Sequence, residues 1–179
     1  MEYTEQKIDG EYKYKGIIVN VRMDNAKLFN GKTVRREVVE HPGGVCILPV
    51  DSDNCCYMVR QYRYPVGRSM LEAPAGKLEY GEDPEECAAR ELSEETGFDS
   101  GKLVYLGRFY TSPGISTECL HIYLALDLKK GSMHLDEDEF LNVEKHSLSS
   151  LLKMVMNGEI QDGKTATAIL KAEKYIKNS

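Results

Sequence analysis

Apolar residues recur along this chain in two rhythms, short runs with a period near two and longer runs with a period near 3.6, and each predicts its own kind of element. Val45–Val50 is apolar almost throughout and predicts a short buried strand; Asp51–Asn54 has turn chemistry, and Cys55–Tyr62 follows as a partner strand. Leu103–Tyr110 and Cys119–Leu128 predict two more strands, the second alternating well enough to be half-buried. Upstream the alternation is only partial. Tyr12–Arg22 and Ala26–Phe29 are expected to pair around a turn at Met23-Asp24-Asn25, with Lys32–Glu40 a further extended segment that His41-Pro42-Gly43-Gly44 breaks.

The helical rhythm marks three segments. Ser147–Asn157 places Leu148, Leu151, Leu152 and Val155 on one side and is followed by Gly158. Lys164–Lys177 offers Ala168, Ile169, Ala172 and Ile176 to a core. Between the strand groups, Asp83 is a good N-cap, Pro84 occupies the first helical position, Glu86 completes a capping box, and Gly97 can end the helix in a left-handed cap. Ala88, Ala89 and Leu92 form the face of that helix expected to meet a core. The order of elements predicts an α/β fold, a mixed sheet with the Pro84 helix on one side and the two later helices on the other. Residues 1–42 carry the partly alternating strands and residues 43–179 the remaining elements.

The Pro84 helix carries an unusual charge pattern. At about 100° per residue, Glu91, Glu94 and Glu95 fall in one sector. Carboxylates at these spacings repel by about a few tenths of a kcal/mol per pair, and here they also meet the negative end of the helix dipole. Arg90, four residues before Glu94, relieves part of this. Two readings fit: a solvated acidic face, or a site where a hard divalent cation such as Mg²⁺ turns repulsion into binding. A second cluster, Arg60-Gln61-Tyr62-Arg63-Tyr64-Pro65, mixes cations and aromatics just before a loop. It reads either as an exposed strand end or as a place where Arg meets phosphate and Tyr stacks on a base or ribose.

Composition narrows the field without choosing between these readings. With 179 residues the chain is expected to bury a substantial core, and 41% hydrophobic with 29% charged residues is ordinary for a soluble protein. The net charge of −6 and the lack of a basic run argue against general nucleic-acid binding. The first ten residues are polar and acidic and resemble neither a signal nor a transit peptide, and no apolar run approaches the roughly 20 residues of a membrane span. Five cysteines without zinc spacing read as reduced thiols, so a cytoplasmic location is expected. Asp51-x-Asp53 lacks the Gly and closing Glu of a calcium loop and is read as a turn.

Gly76, five residues, Glu82, seven residues, then Arg90-Glu91-Leu92-Ser93-Glu94-Glu95-Thr96-Gly97-Phe98 resembles the complete Nudix box, with no departure from its pattern. The resemblance implies the Nudix α/β/α sandwich with an N-terminal β extension, and a Mg²⁺-dependent hydrolase of nucleoside diphosphates linked to another moiety, with Mn²⁺ able to substitute. Several flanking features are similar to the ADP-ribose pyrophosphatase branch. Gln61-Tyr62-Arg63 resembles that branch's substrate-contacting motif, Leu71-Glu72-Ala73-Pro74-Ala75 runs into the box, and Pro113 stands sixteen residues after Gly97.

From the resemblance, Glu91, Glu95 and the backbone carbonyl of Ala75 are expected to hold metal, with help from Glu94. Arg63 is expected to fix the diphosphate, and Arg36, Glu72, Leu78 and Glu118 complete the candidate substrate contacts. A structural role for Glu118 in its loop is equally open. The run Asp136-Glu137-Asp138-Glu139 reads by itself as a solvated acidic loop, but the branch carries a catalytic Glu there. Glu139 is the candidate base, Glu137 its nearest rival by register, and Glu94 the candidate inside the box. Arg90 and Glu82 are expected to brace the box. The expected partners are a small nucleoside diphosphate sugar and a second copy of the chain, since in this branch the N-terminal extension often crosses to a second subunit; neither nucleic acid nor membrane is expected.

Overall fold

Three amino-terminal strands, β1 (Glu5–Lys15), β2 (Asn20–Leu28) and β3 (Thr33–Glu40), pair antiparallel in that order. The computed structural model describes residues 3–135 and 140–178. The turn expected at Met23-Asp24-Asn25 is not there. The chain reverses at Gly16–Val19, where Gly16 N donates to Val19 O at 3.0 Å, and Asp24 lies inside β2, only 5% exposed. Two cations pair with its carboxylate, Lys7 Nζ at 3.0 Å and Arg22 Nη1 at 2.7 Å. Gly10, its partner on β1, leaves the room: a Cβ there would stand 2.1 Å from Asp24 Oδ1. A buried, paired aspartate therefore mimicked a turn former in the sequence, while the apolar Ile17 and Ile18, both exposed, disguised the real turn.

These strands belong to a compact unit of residues Met1–Gly43 that also takes in Tyr110–Cys119. The unit therefore includes a segment outside residues 1–42. Backbone bonds hold it: Val39 N donates to Ile115 O at 2.7 Å and Thr117 N to Val39 O at 3.0 Å. The loop around Pro113 is thus tied to β3 by main-chain groups, which leave no trace in a side-chain pattern.

The second unit, Gly44–Phe109 with Leu120–Ser179, holds the remaining elements. Its strands are β4 (Gly44–Pro49), β5 (Cys55–Arg63), β6 (Arg68–Glu72), β7 (Ala75–Lys77), β8 (Phe98–Tyr110), β9 (Cys119–Lys130) and β10 (Leu141–Ser147), and its helices are α1 (Pro84–Thr96), α2 (Leu148–Met156) and α3 (Gly163–Asn178). One sheet runs β7-β4-β9-β8, mixed because β4 pairs parallel with β9 and antiparallel with β7; the other is antiparallel, β10-β5-β6.

Every residue of β4 is buried, and alternate side chains serve two cores. Val45 and Ile47 join Tyr123 and Ala125 of β9 under Cys87, Ala88 and Leu92 of α1. Cys46 and Leu48 join Ile122 and Leu124 with Leu148 and Leu151 of α2 and Ala168, Ile169 and Ala172 of α3. A strand covered on both faces reads as an unbroken apolar run, which is how it stands in the sequence. The unit is therefore the expected α/β/α arrangement. Strands β6 and β7 were not expected, being short and mixed with Gly and Pro; they exist because β5 and β4 offer edges to pair with. β10 was not expected either; it includes polar residues because its whole length pairs with β5.

Candidate active site

Helix α1 is set by its ends. Asp83 Oδ1 accepts from Glu85 N at 2.8 Å, closing the cap on Glu85 rather than on Glu86, and Gly97 turns the chain at φ 69° with its N–H on Ser93 O at 2.9 Å. Cys87, rather than the expected Ala89, joins Ala88 and Leu92 in the core, and Ala89 is exposed. With that stripe facing β4, Glu91 and Glu95 are carried to the rim of the sheet, 8% and 1% exposed.

Strand β7 brings its backbone up to these carboxylates. Its pairing sets Ala75 opposite Cys46 and Gly76 opposite Val45. Ala75 N donates to Glu95 Oε2 at 3.0 Å. A Cβ on Gly76 would lie 1.8 Å from Glu91 Cδ, so only glycine lets the Glu91 carboxylate settle on this strand. Gly76→Ala is accordingly expected to cost little stability, about 1–3 kcal/mol, because the atom it displaces ends a flexible side chain. Activity should fall about a hundredfold, since a misplacement near 1 Å has that effect on a reacting arrangement. Thermal melting together with kcat/KM checks the separation, and a variant with wild-type activity would show that the Glu91 position is immaterial.

Arg90 is the hub of the box. Its Nη1 lies 2.8 Å from Glu91 Oε1 and 2.9 Å from Glu94 Oε2, while Nε and Nη2 meet Glu82 at 3.0 and 3.2 Å. Glu82 Oε2 also accepts from Glu79 N at 2.9 Å, joining the loop before the helix to the helix itself. The Arg90 guanidinium holds the Glu82 carboxyl down to about 2, and Glu82 in turn raises Arg90 further. Among the described residues no group of His, Cys, Asp and Glu side chains forms a ready metal cage. The donors are nonetheless those a hard dication takes: carboxylates one helical turn apart, backed by the main chain of β7, with a glycine where a side chain would fill the space. Arg90 is the cation that lies between Glu91 and Glu94.

The end of β5 contributes Arg63. Its Nε and Nη2 donate to Glu72 Oε1 and Oε2 at 2.8 and 2.7 Å, and Glu72, at 1% exposure, also accepts from Lys164 Nζ. Burial pushes the Glu72 carboxyl up, but the bonds from Arg63 and Lys164 outweigh it and leave it lowered. Lys164 is bonded to Asp162 Oδ2 at 2.8 Å, and the buried Thr165 Oγ1 accepts from Ala73 N at 2.8 Å. Asp162, Lys164 and Thr165 have little to mark them in the sequence; the one signal is that Asp162 and Thr165 have the chemistry of a helix start.

The structure brings Glu91, Glu94, Glu95, Ala75, Arg63 and Glu72 into the second unit. Leu78 packs against the core beneath α1. Arg36 and Glu118 belong to the first unit. There Arg36 forms a two-pronged pair with Glu5 at 2.8 and 2.7 Å, and Glu118 Oε2 accepts from Thr111 Oγ1 at 2.6 Å, holding its own loop. Glu137 and Glu139 lie outside the described residues.

The NUDIX domain model matches residues 40–166, most of the second unit and the whole of the box. The chain belongs to the Nudix family. This Nudix chain is 44% identical to an ADP-ribose pyrophosphatase of Bacillus subtilis (strain 168), over 92% of its own length and 90% of that protein's. It is 41% identical to a protein of Bacillus methanolicus named methanol dehydrogenase activator, over 93% and 91% of the two chains. The crystal structure of an ADP compounds hydrolase superposes with a TM-score of 0.82 at 22% identity, covering 97% of this chain and 95% of that one, which shows the shared fold. In Nudix terms, Arg90 and Glu82 are internal braces of the box, and the glycine of its pattern at position 76 is there to admit a carboxylate.

Proposed function

We propose that this Nudix chain hydrolyses the pyrophosphate of ADP-ribose, adding water to give AMP and ribose 5-phosphate, with Mg²⁺ as the metal. The observation that carries the reading is the pair of rim carboxylates, Glu91 and Glu95, set against the Ala75-Gly76 backbone, in a chain 44% identical to an ADP-ribose pyrophosphatase. Glu91, Glu95 and the Ala75 carbonyl would hold the ion, with Glu94 adjacent. When bound, the dication supplies charge neutralisation at pyrophosphate oxygens and a more acidic water. Arg63 donates to the diphosphate, and Glu139 takes the proton of the attacking water. The exposed Ile8, Tyr14 and Ile17 on and beside β1 supply an apolar surface for a second copy of the chain, and the enzyme works in the cytoplasm. No described helix is long and apolar enough to cross a membrane.

A product assay over ADP-ribose, GDP-mannose, ADP-glucose and nucleoside triphosphates, with Mg²⁺ and with EDTA, tests this. ADP-ribose should give the highest kcat/KM and EDTA should abolish turnover; sizing of the same sample should return a mass near twice 20.2 kDa. A tenfold preference for another compound, about 1.4 kcal/mol in transition-state binding, would move the protein to another branch. The activator relative motivates a second reading, action on a partner dehydrogenase, which predicts a faster dehydrogenase with no nucleotide product released.

A further inference from the structure

Four side chains of alternating charge are linked in a row that starts at Arg63: Arg63, Glu72, Lys164 and Asp162. Arg63 approaches Glu72 side-on through Nε and Nη2, so among the described residues its Nη1 edge makes no bond. That edge belongs to a side chain still 38% exposed, whereas the side chains of Glu72 and Lys164 are only 2% and 13% exposed. A buried carboxylate attracts whatever cation it can reach, and with Arg63 as its sole partner Glu72 would cancel the charge that an anionic ligand needs. Lys164 Nζ meets the same Oε2 that Arg63 Nη2 meets, and so divides the Glu72 charge between two cations. Asp162 balances the second cation, leaving the set of four neutral as a whole.

We propose that Lys164 is a positioning residue for substrate phosphate, taking up Glu72 charge so that Arg63 keeps its outer edge and its positive charge for the diphosphate. This rests on the reading that Arg63 contacts the diphosphate. Lys164 touches no substrate; it acts through Glu72. Its place is fixed independently of its charge, because the buried Thr165 at the next position bonds Ala73 N, the residue after Glu72. Asp162 also accepts from Thr165 N at 3.1 Å, a bond that an asparagine oxygen could keep.

The test compares Lys164→Met with the double variant Asp162→Asn/Lys164→Met, which removes one charge of each sign and preserves the start of α3. KM and kcat are measured for the best substrate of the panel, with thermal melting alongside. The single variant leaves the buried Glu72 with Arg63 alone and takes the cation from half-buried Asp162, and is expected to lose stability. The double variant should recover much of that stability yet keep a KM raised about tenfold, with kcat within about threefold of the original enzyme. A double variant whose KM returns to the original value would overturn the proposal, because the role of Lys164 would then be structural alone. A fall in kcat with KM unchanged would overturn it as well. Arg63→Met run in parallel separates the two layers of argument. If it leaves KM unchanged, the reading that Arg63 binds the diphosphate fails; if it raises KM while the double variant does not, only the role of Lys164 fails.

Discussion

Glu95→Gln is expected to lower the rate of hydrolysis by at least about a hundredfold while leaving the fold in place. Groups that merely support a metal ligand typically cost 10–100-fold when changed, so loss of a charged ligand should lie at the top of that range or beyond. The structure explains why shape should survive. Glu95 is almost wholly buried, and its Oε2 accepts from Ala75 N at 3.0 Å. A glutamine has nearly the same volume and its amide oxygen can accept the same bond. Relief of repulsion from Glu91 and Glu94 offsets part of any packing loss, by about a few tenths of a kcal/mol per pair. Glu91→Gln should behave alike, though it also loosens Arg90, which bonds Glu91 Oε1 at 2.8 Å. The measurement is kcat/KM as a function of Mg²⁺ concentration, with thermal melting as the control. Wild-type activity at limiting Mg²⁺ in both variants would remove the box from the chemistry.

These carboxylates are legible in the sequence because the information is local. Three glutamates one turn apart, a cap at Asp83 and a stop at Gly97 all lie within one helix and its ends. The unbroken apolar run of β4 is legible for a similar reason, as burial on both faces leaves no polar position. What the sequence hides depends on distant partners. Lys164 and Glu72 are 92 positions apart, and no period or local motif joins them. Asp24 looks like a turn because the cations that pair with it, and the glycine that makes room for it, are supplied partly by another strand. Strands β6 and β7 are short backbone additions to existing edges, carrying little side-chain pattern of their own. Even the family pattern marks Gly76 without its reason, which is the position of the Glu91 carboxylate.

Glu139→Gln is expected to reduce kcat by about 10²–10⁴ while leaving KM and Mg²⁺ affinity close to their original values. Carboxylates that hold a dication make poor bases, because the ion takes their lone pairs and lowers their basicity. The box glutamates are further engaged: Arg90 binds Glu91 and Glu94, and Ala75 N binds Glu95. On the proposed reading, the proton of the attacking water goes to an acceptor outside α1. Residues on both sides of the acidic run are held by backbone bonds to described elements. Before it, His134 N donates to Glu94 O at 3.2 Å. After it, Leu141 pairs with Gln61 and Asn142 with Arg60, on the strand that ends in Arg63. Glu139 precedes Leu141 by two residues, and the resemblance to the ADP-ribose pyrophosphatase branch selects it over Glu137. A base must be unprotonated to work, so the rate should fall as pH drops through its pKa, and that ionisation should vanish from the Glu139→Gln profile. Glu137→Gln and Asp138→Asn should change kcat far less, which separates a single acceptor from a generally acidic segment. If Glu94→Gln instead loses the acid limb and Glu139→Gln turns over normally, the proton goes to Glu94, and Arg90 must then release that carboxylate during the reaction.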